Sequence, residues 1–484
     1  MLPLSTTFLI LVLLASARVD VSCREELEVV KMVREEMLLA IASWDDISRG
    51  SKSGPVPGVV GDCLKMYRDV EPRLARIVRA DNCSHDDGVT WLSAALASHN
   101  GCVEGLAEEG LLSEARVATR NLSSLIREGL AVYGNKRSPR WKGIGVKRKP
   151  VSNQEGGPLT SWNPATSKAD LVVAKDGSGN YKTINEAIVA LAGMGGNRPE
   201  RAIIYVKSGL YNEKVEIGRD LKNIMLVGDG MDKTVVTASG NVQDGQTTFS
   251  SATFGVSGDG FWARGVAFEN TAGPHKHQAV ALRASSDLAI FYQCSFKGYQ
   301  DTLLVHSLRQ FYRDCQIHGT IDFIFGDAAV VFQNCDIFVR RPMDHQSNMV
   351  TAQGRDDPNE NTGISIVNSR VVPASDFGDV KGMFKSYLGR PWKKYSRTVV
   401  SKTDLDGMID GKGWTEWDGD FALSTLYYGE YMNTGSGAST AARVKWPGFH
   451  AMSDPREVAP FCVQNFVGGD SWIPASGVPY WTGI

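Results

Sequence analysis

After its first two dozen residues the chain has no run of about 18 apolar residues, the length a membrane-spanning helix needs. No membrane span is therefore expected in the mature protein. Charge of one sign is not in excess either: 52 Lys and Arg stand against 54 Asp and Glu, a formal net charge of −2. Without a basic excess there is no reason to expect a nucleic-acid partner. The extreme N-terminus lacks Lys and Arg, so only the terminal amine supplies positive charge ahead of the apolar stretch Phe8–Leu14. That stretch is followed by Ala15-Ser16-Ala17, an A-x-A cleavage pattern, and residues 1–17 read as a secretory signal peptide. A secreted, extracellular protein is expected.

At 484 residues the chain is too long for one ordinary compact domain, although a solenoid can run long as a single unit. Residues 24–135 have a helical pattern. Apolar residues return at three- and four-residue steps in Cys63–Tyr67, Val89–Leu96 and Ala118–Val132, which predicts a bundle of about four helices. Cys23, Cys63, Cys83 and Cys102 fall here; in a secreted chain they suggest disulfides, with three pairings open. Two sequons, at Asn82 and Asn121, mark expected glycosylation sites in the same region. Residues 136–167 change character: seven Lys and Arg between Lys136 and Lys149 crowd around Pro139 and Pro150, followed by Gly156, Gly157 and Pro158. This is a solvated linker with a candidate processing site at Lys147-Arg148-Lys149. From residue 168 to 484 short β-type segments take over, with one amphipathic helix near Ile184–Leu191 to cover an open end.

The β-region repeats itself. Gln293-Cys294-Ser295-Phe296, Asp314-Cys315-Gln316-Ile317 and Asn334-Cys335-Asp336-Ile337 read as copies of one short strand, 21 and then 20 residues apart. Weaker copies start at Gly265 and Asn368. A period near 20 with one strand cluster per unit predicts a parallel β-helix. Asp301 and Asp322 each lie seven residues after the cysteine of their repeat. Equivalent positions on adjacent coils stack at roughly 4.8 Å. Carboxylates that close cannot both ionise freely, and an acid beside a base or nucleophile is what ester or glycoside hydrolysis requires. Turn aspartates more commonly cap backbone N–H groups. Here the neighbouring Gln300 and the aromatic run Asp322-Phe323-Ile324-Phe325-Gly326 favour chemistry.

Six signatures follow in order: Gly209-Leu210-Tyr211-Asn212-Glu213, Thr248–Phe254, Gln278–Arg283, Gly298–Leu303, Gly319–Gly326 and Leu388-Gly389-Arg390-Pro391-Trp392. Together they make the chain resemble plant pectin methylesterases that carry a pro-region, from about Ala169 onward. The resemblance implies a right-handed parallel β-helix that removes methyl esters from the galacturonate units of homogalacturonan. It implies Asp322 as nucleophile and Asp301 as proton donor and then base. Gln300 and Gln278 would be amide donors to the tetrahedral oxyanion, about 3 kcal/mol each. Arg390 would hold the nucleophile ionised, Trp392 would lie under a sugar ring, and Thr248 would make a further substrate contact. Arg390 and Trp392 could otherwise be a structural cation and plain packing. Gly209–Glu213 reads as structural, a tight turn and a charge-paired strand. No metal or organic cofactor is implied.

The helical region is similar to the invertase/pectin-methylesterase inhibitor family, which implies a Cys63–Cys102 disulfide. The β-region resemblance favours a Cys315–Cys335 disulfide, which stacked positions would also suit. Cys23 departs from the inhibitor pattern, since no closely spaced partner precedes Cys63; it pairs with Cys83 or stays free. In the linker, Pro150 stands directly after the basic cluster. Leu304 and Leu308 replace an expected Tyr and Asn. The implied partners are methyl-esterified homogalacturonan and a proteinaceous inhibitor or the chain's own pro-domain; a monomer is expected. Two other readings stay open. A polygalacturonase would share the fold, but the Gly-His-Gly signature is absent. An inhibitor or binding module with an idle β-helix is the non-enzyme alternative.

Overall fold

The computed structural model describes residues 26–48, 58–79, 83–111, 121–134 and 156–483. The signal peptide, the linker cluster around Lys147, Asn82 and Cys23 lie outside these residues, and with Cys23 any pairing to Cys83. The described residues fall into two compact units, one on each side of residue 140. No helix among them is long and apolar enough to cross a membrane.

The first unit is helical: α1 over 26–48, α2 over Gly58–Arg79, α3 over His85–Glu108 and α4 over Leu122–Gly134. In α1 the buried apolar residues are Val30, Val33, Met37, Ala40 and Trp44. Steps of three and four place them on one apolar stripe. The start of α3 is fixed by a reciprocal cap: Ser84 Oγ accepts from Asp87 N at 3.1 Å, and Asp87 accepts from Ser84 N at 2.8 Å. A Cys63–Cys102 disulfide, the pair implied by the family resemblance, ties α2 to α3. Asn121, just before α4, is exposed.

The second unit is a parallel β-helix. Its strands form three sheets of eleven, eight and seven members among the described residues, and the chain visits the sheets in rotation. One turn shows the rule: Ala289–Tyr292 in the first sheet, Ser295–Lys297 in the second, Leu303–Val305 in the third, then Arg309–Arg313 beside the first strand again. Every such return is a parallel crossover, which the strand twist makes right-handed. Equivalent side chains stack inside. Phe291, Tyr312 and Phe332 share one register, with ring centroids 4.7 and 4.6 Å apart. The Tyr312 hydroxyl is satisfied by donating to Gln310 Oε1 at 2.9 Å. Helix α5 (Ile184–Gly193) buries Ile184, Ala187, Ile188 and Leu191 in the same core at one end of the solenoid.

Two local expectations change. The repeat is shifted: each strand starts one residue after its cysteine, at Ser295, Gln316 and Asp336. The preceding Gln293, Asp314 and Asn334 are left-handed, with φ of 51°, 54° and 57°. Gly265 and Asn368 occupy the same kind of corner, which explains the polar residue or glycine there. Second, Glu213 is not part of a charge-paired strand. Its carboxylate accepts from Ile184 N at 2.9 Å and Asn185 N at 3.0 Å, anchoring the positive N-terminal end of α5.

The expected Cys315–Cys335 disulfide is not formed; both thiols are buried and unbonded. Cys315 Sγ donates to Arg313 O at 3.3 Å and Phe291 O at 3.4 Å, and Cys335 Sγ lies 3.6 Å from Gln333 O. Each cysteine sits at the corner before its strand, where the Cys315 thiol is a hydrogen-bond neighbour of those of Cys294 and Cys335. Burial pushes the Cys315 thiol well above its ordinary value, away from the reactive thiolate. Alkylation of the unfolded, unreduced protein should therefore label both Cys315 and Cys335 while Cys63 and Cys102 remain protected. A cross-linked 315–335 peptide in the mass spectrum would contradict this.

Candidate active site

The Gly298–Asp301 turn joins the second sheet to the third, and Gly319–Asp322 repeats it on the next coil. Both begin with a glycine for want of space. A Cβ on Gly298 would lie 2.7 Å from Thr302 Oγ1, and one on Gly319 would lie 2.2 Å from Phe323 Cβ. Both end on an aspartate in the left-handed region, Asp301 at φ 62° and Asp322 at φ 50°. Strain of this kind persists where the surroundings over-determine the backbone. Here the coils bond to each other: Asp301 N donates to Ile321 O at 3.0 Å and Thr320 N to Tyr299 O at 2.9 Å. From outside, Arg340 donates to Gly298 O at 3.0 Å and to the Tyr299 hydroxyl at 2.6 Å.

The two aspartates, buried and one coil apart in register, differ in surroundings. Asp322 is gripped by Arg390, whose Nε donates to Oδ1 at 2.9 Å and Nη2 to Oδ2 at 2.6 Å. Burial pushes the Asp322 carboxyl above its ordinary value, and the Arg390 hydrogen bonds and charge oppose that. The fork decides the state, because both oxygens accept from N–H groups and an acidic proton would have no place between them. Arg390 is fixed in turn. Its N donates to Thr351 O at 3.0 Å, and the Trp417 ring lies 4.3 Å from its guanidinium carbon. Behind the pair, burial keeps the Tyr428 phenol neutral, and its hydroxyl lies 3.0 Å from Ser396 Oγ.

Beside the carboxylates runs an apolar strip of Val280, Leu304, Phe325 and Ala352, with Phe249 and Trp392 packed against it. Leu304, Phe325 and Ala352 stack in register across three coils. Trp392 is half-buried, its ring 6.0 Å from that of Phe325. It can lie this close because position 354 is glycine: a Cβ there would come within 2.9 Å of Trp392 Cε3. Gln278 and Gln300 are half-buried on neighbouring coils, linked by Ala279 N donating to Gln300 O at 3.3 Å. Thr248 is half-buried one coil further on, its carbonyl accepting from Ser251 Oγ at 2.8 Å.

The chain that carries two carboxylates, an arginine fork and an apolar floor is similar to known proteins over most of its length. The family model described as pectinesterase matches residues 170–470, most of the chain. The chain belongs to the pectinesterase family. A second family model, plant invertase/pectin methylesterase inhibitor, matches residues 26–132. Among relatives, the probable pectinesterase/pectinesterase inhibitor 36 of Arabidopsis thaliana is 54% identical, over 97% of this chain and 96% of the relative. Pectinesterase 2 of Citrus sinensis is 50% identical over 87% of this chain and 81% of its own. The solved pectin methylesterase from carrot is 53% identical with a TM-score of 0.64, covering 66% of this chain and 99% of the carrot chain. As a pectinesterase, this chain is an enzyme that hydrolyses the methyl esters of pectin.

Several residues of this candidate site in the pectinesterase have no mark in the sequence. Trp417 lies 27 positions beyond Arg390, and only the aromatic density of Trp414-Thr415-Glu416-Trp417 hints at a role. Phe249 and Phe325 sit inside signatures but carry no spacing that separates them from core residues. Arg340 and Tyr428 belong to no signature at all.

Proposed function

We propose that Asp322 is the nucleophile and Asp301 the proton carrier in hydrolysis of the C6 methyl ester of galacturonate units in homogalacturonan. An Asp322 oxygen attacks the ester carbonyl carbon, and the carbonyl oxygen becomes an oxyanion that Gln278 and Gln300 receive as N–H donors. Collapse breaks the bond to methoxide, which leaves as methanol with the Asp301 proton and leaves galacturonate bound to Asp322 as a mixed anhydride. The Asp301 carboxylate then takes a proton from water, and the hydroxide attacks the acyl carbon. Galacturonate departs and Asp322 returns to the Arg390 fork. Trp392 and the apolar strip carry the sugar ring, and Thr248 contacts the chain beside it. The reaction as written uses no metal or organic cofactor.

The observation that carries this reading is the asymmetry of the pair. Asp322 is forked by Arg390 through both oxygens and so held ionised, which assigns the proton role to the carboxyl one coil away. The enzyme is proposed to act as a secreted monomer in the plant cell wall, with residues 1–17 removed, glycans on Asn82 and Asn121, and 136–167 linking the inhibitor-like 24–135 to the catalytic 168–484. A proteinaceous inhibitor or the N-terminal unit itself is the proposed regulatory partner. Incubation with highly methylated pectin should release methanol without new reducing ends or unsaturated products. New reducing ends without methanol would overturn the ester reading. Gln278→Ala and Gln300→Ala should each lower kcat by roughly 10²–10³ with little change in KM. A rise in KM alone would make them ground-state contacts instead.

A further inference from the structure

A second pair of carboxyl groups lies beneath the site. Asp327 follows the strand Ile324–Gly326, and Glu360 sits in the loop 354–362 between the strands Asn348–Gln353 and Gly363–Val367. Both are fully enclosed, 4% and 0% exposed. Asp327 Oδ1 accepts from Gln353 Nε2 at 3.1 Å and from Thr362 Oγ1. Glu360 Oε2 accepts from Asp356 N and Asp357 N, each at 2.8 Å. Asp327 Oδ2 and Glu360 Oε1 have no N–H or hydroxyl donor. These two carboxyl groups are neighbours, close enough for each to act on the other. Two carboxylate oxygens are both acceptors, so such a contact needs a proton between them.

The same residues hold the wall behind Arg390 and Trp392. Gln353, which donates to Asp327, accepts through Oε1 from Arg355 N at 3.0 Å and Arg397 N at 2.7 Å. Tyr395 N donates to Arg355 O at 3.0 Å, and Gly354, under the Trp392 ring, donates to Gly326 O at 2.9 Å. The loop thus joins the strand after Asp322 to the segment 390–397. We infer that Asp327 and Glu360 are positioning residues that share one proton, and that its loss at alkaline pH loosens the 354–362 loop and with it Arg390 and Trp392.

Burial holds this proton in place against the opposing charge of Arg355. Arg355 faces the pair, with its guanidinium donating to Glu360 O at 3.0 Å, and Arg397 Nε donates to Thr362 O at 2.7 Å. Both cations are thus engaged with backbone carbonyls. Asp356 adds negative charge, Asp357 has its backbone N on Glu360, and His306 supplies a carbonyl to Asp327 N at 3.2 Å. Burial pushes Asp327 up to about 6 and Glu360 well above its ordinary value. For groups raised in this way, stability is fully present below their unfolded values and is lost as pH rises through the folded ones.

The inference rests on the esterase reading, and the test separates the two. In Asp327→Asn the amide N–H takes the place of the shared proton while Oδ1 keeps its two donors. The full-chain variant should hold KM and thermal midpoint to higher pH than the wild type, with the alkaline limb moved by about one unit or more. Glu360→Gln, whose amide N–H would take the proton's place from the other side while its oxygen keeps Asp356 N and Asp357 N, should do the same. Asp327→Ala, which leaves Glu360 without its partner, should raise KM roughly tenfold at a pH where the wild type is fully active. Superimposable alkaline limbs for wild type and D327N, in both KM and thermal midpoint, would overturn the inference. Failure of the esterase reading would instead show as no methanol from the wild type at any pH, with the thermal midpoints still readable.

Discussion

Asp322→Asn should abolish methanol release, with kcat falling by roughly 10⁴ or more, the cost of removing a nucleophile in other hydrolases. The amide cannot attack the ester carbonyl, and no neighbouring group replaces it: the other carboxyl, Asp301, lies one coil away and is committed to proton transfer. Substrate binding should change little, because the apolar strip and Trp392 do not depend on the substituted oxygen. Asn keeps one acceptor for Arg390 and places an N–H against the other guanidinium nitrogen, so a modest fall in thermal midpoint is expected as well. Methanol release and pectin-oligomer binding, measured side by side, separate these effects. Methanol release within tenfold of wild type would remove Asp322 from the nucleophile's role.

Arg390→Ala carries the second-largest expectation. Two charge-assisted hydrogen bonds at 2.9 and 2.6 Å would be lost. Bonds to charged groups contribute about 1.5–3 kcal/mol each, although Arg390 is partly exposed and the lower end applies. Turnover should fall roughly 10²-fold near neutral pH. The pH dependence discriminates better than the magnitude. Arg390 opposes the upward push of burial on Asp322, so its removal raises the carboxyl further and protonates the nucleophile. Activity requires the ionised form, so the acid limb should move to higher pH and raising the pH should recover part of the loss. Arg390→Lys restores charge without the planar fork and should fall between the two. An acid limb unchanged in Arg390→Ala would mean that the arginine acts on substrate alone.

The legible part of the site was its periodic part. The 21-residue spacing placed Asp301 over Asp322, and the structure keeps that register. The strand starts were misplaced by two residues because the polar residue before each cysteine belongs to a left-handed corner. In alternation alone, a corner residue and an outward strand residue look the same. The cysteines read as bridgeable because stacking brings them near, and the structure keeps them as neighbouring free thiols. Arg390 entered only through the family signature, and Trp417 and Tyr428 did not enter at all.

The sequence by itself determined the solenoid, its coil length over residues 293–335, the helical unit before it and the stacking of Asp301 and Asp322 on adjacent coils. These are local or periodic properties, and stacking repeats them without further information. Tertiary structure alone decided what closes around the aspartates. Past Ile324 the period breaks, with coils of 27 residues to Thr351 and 38 to Gly389. The Arg390 fork on Asp322 and the Asp327–Glu360 pair join residues across those unequal coils. No spacing in the chain encodes such contacts, because loop lengths set them, and they form only when each coil has packed on the one before.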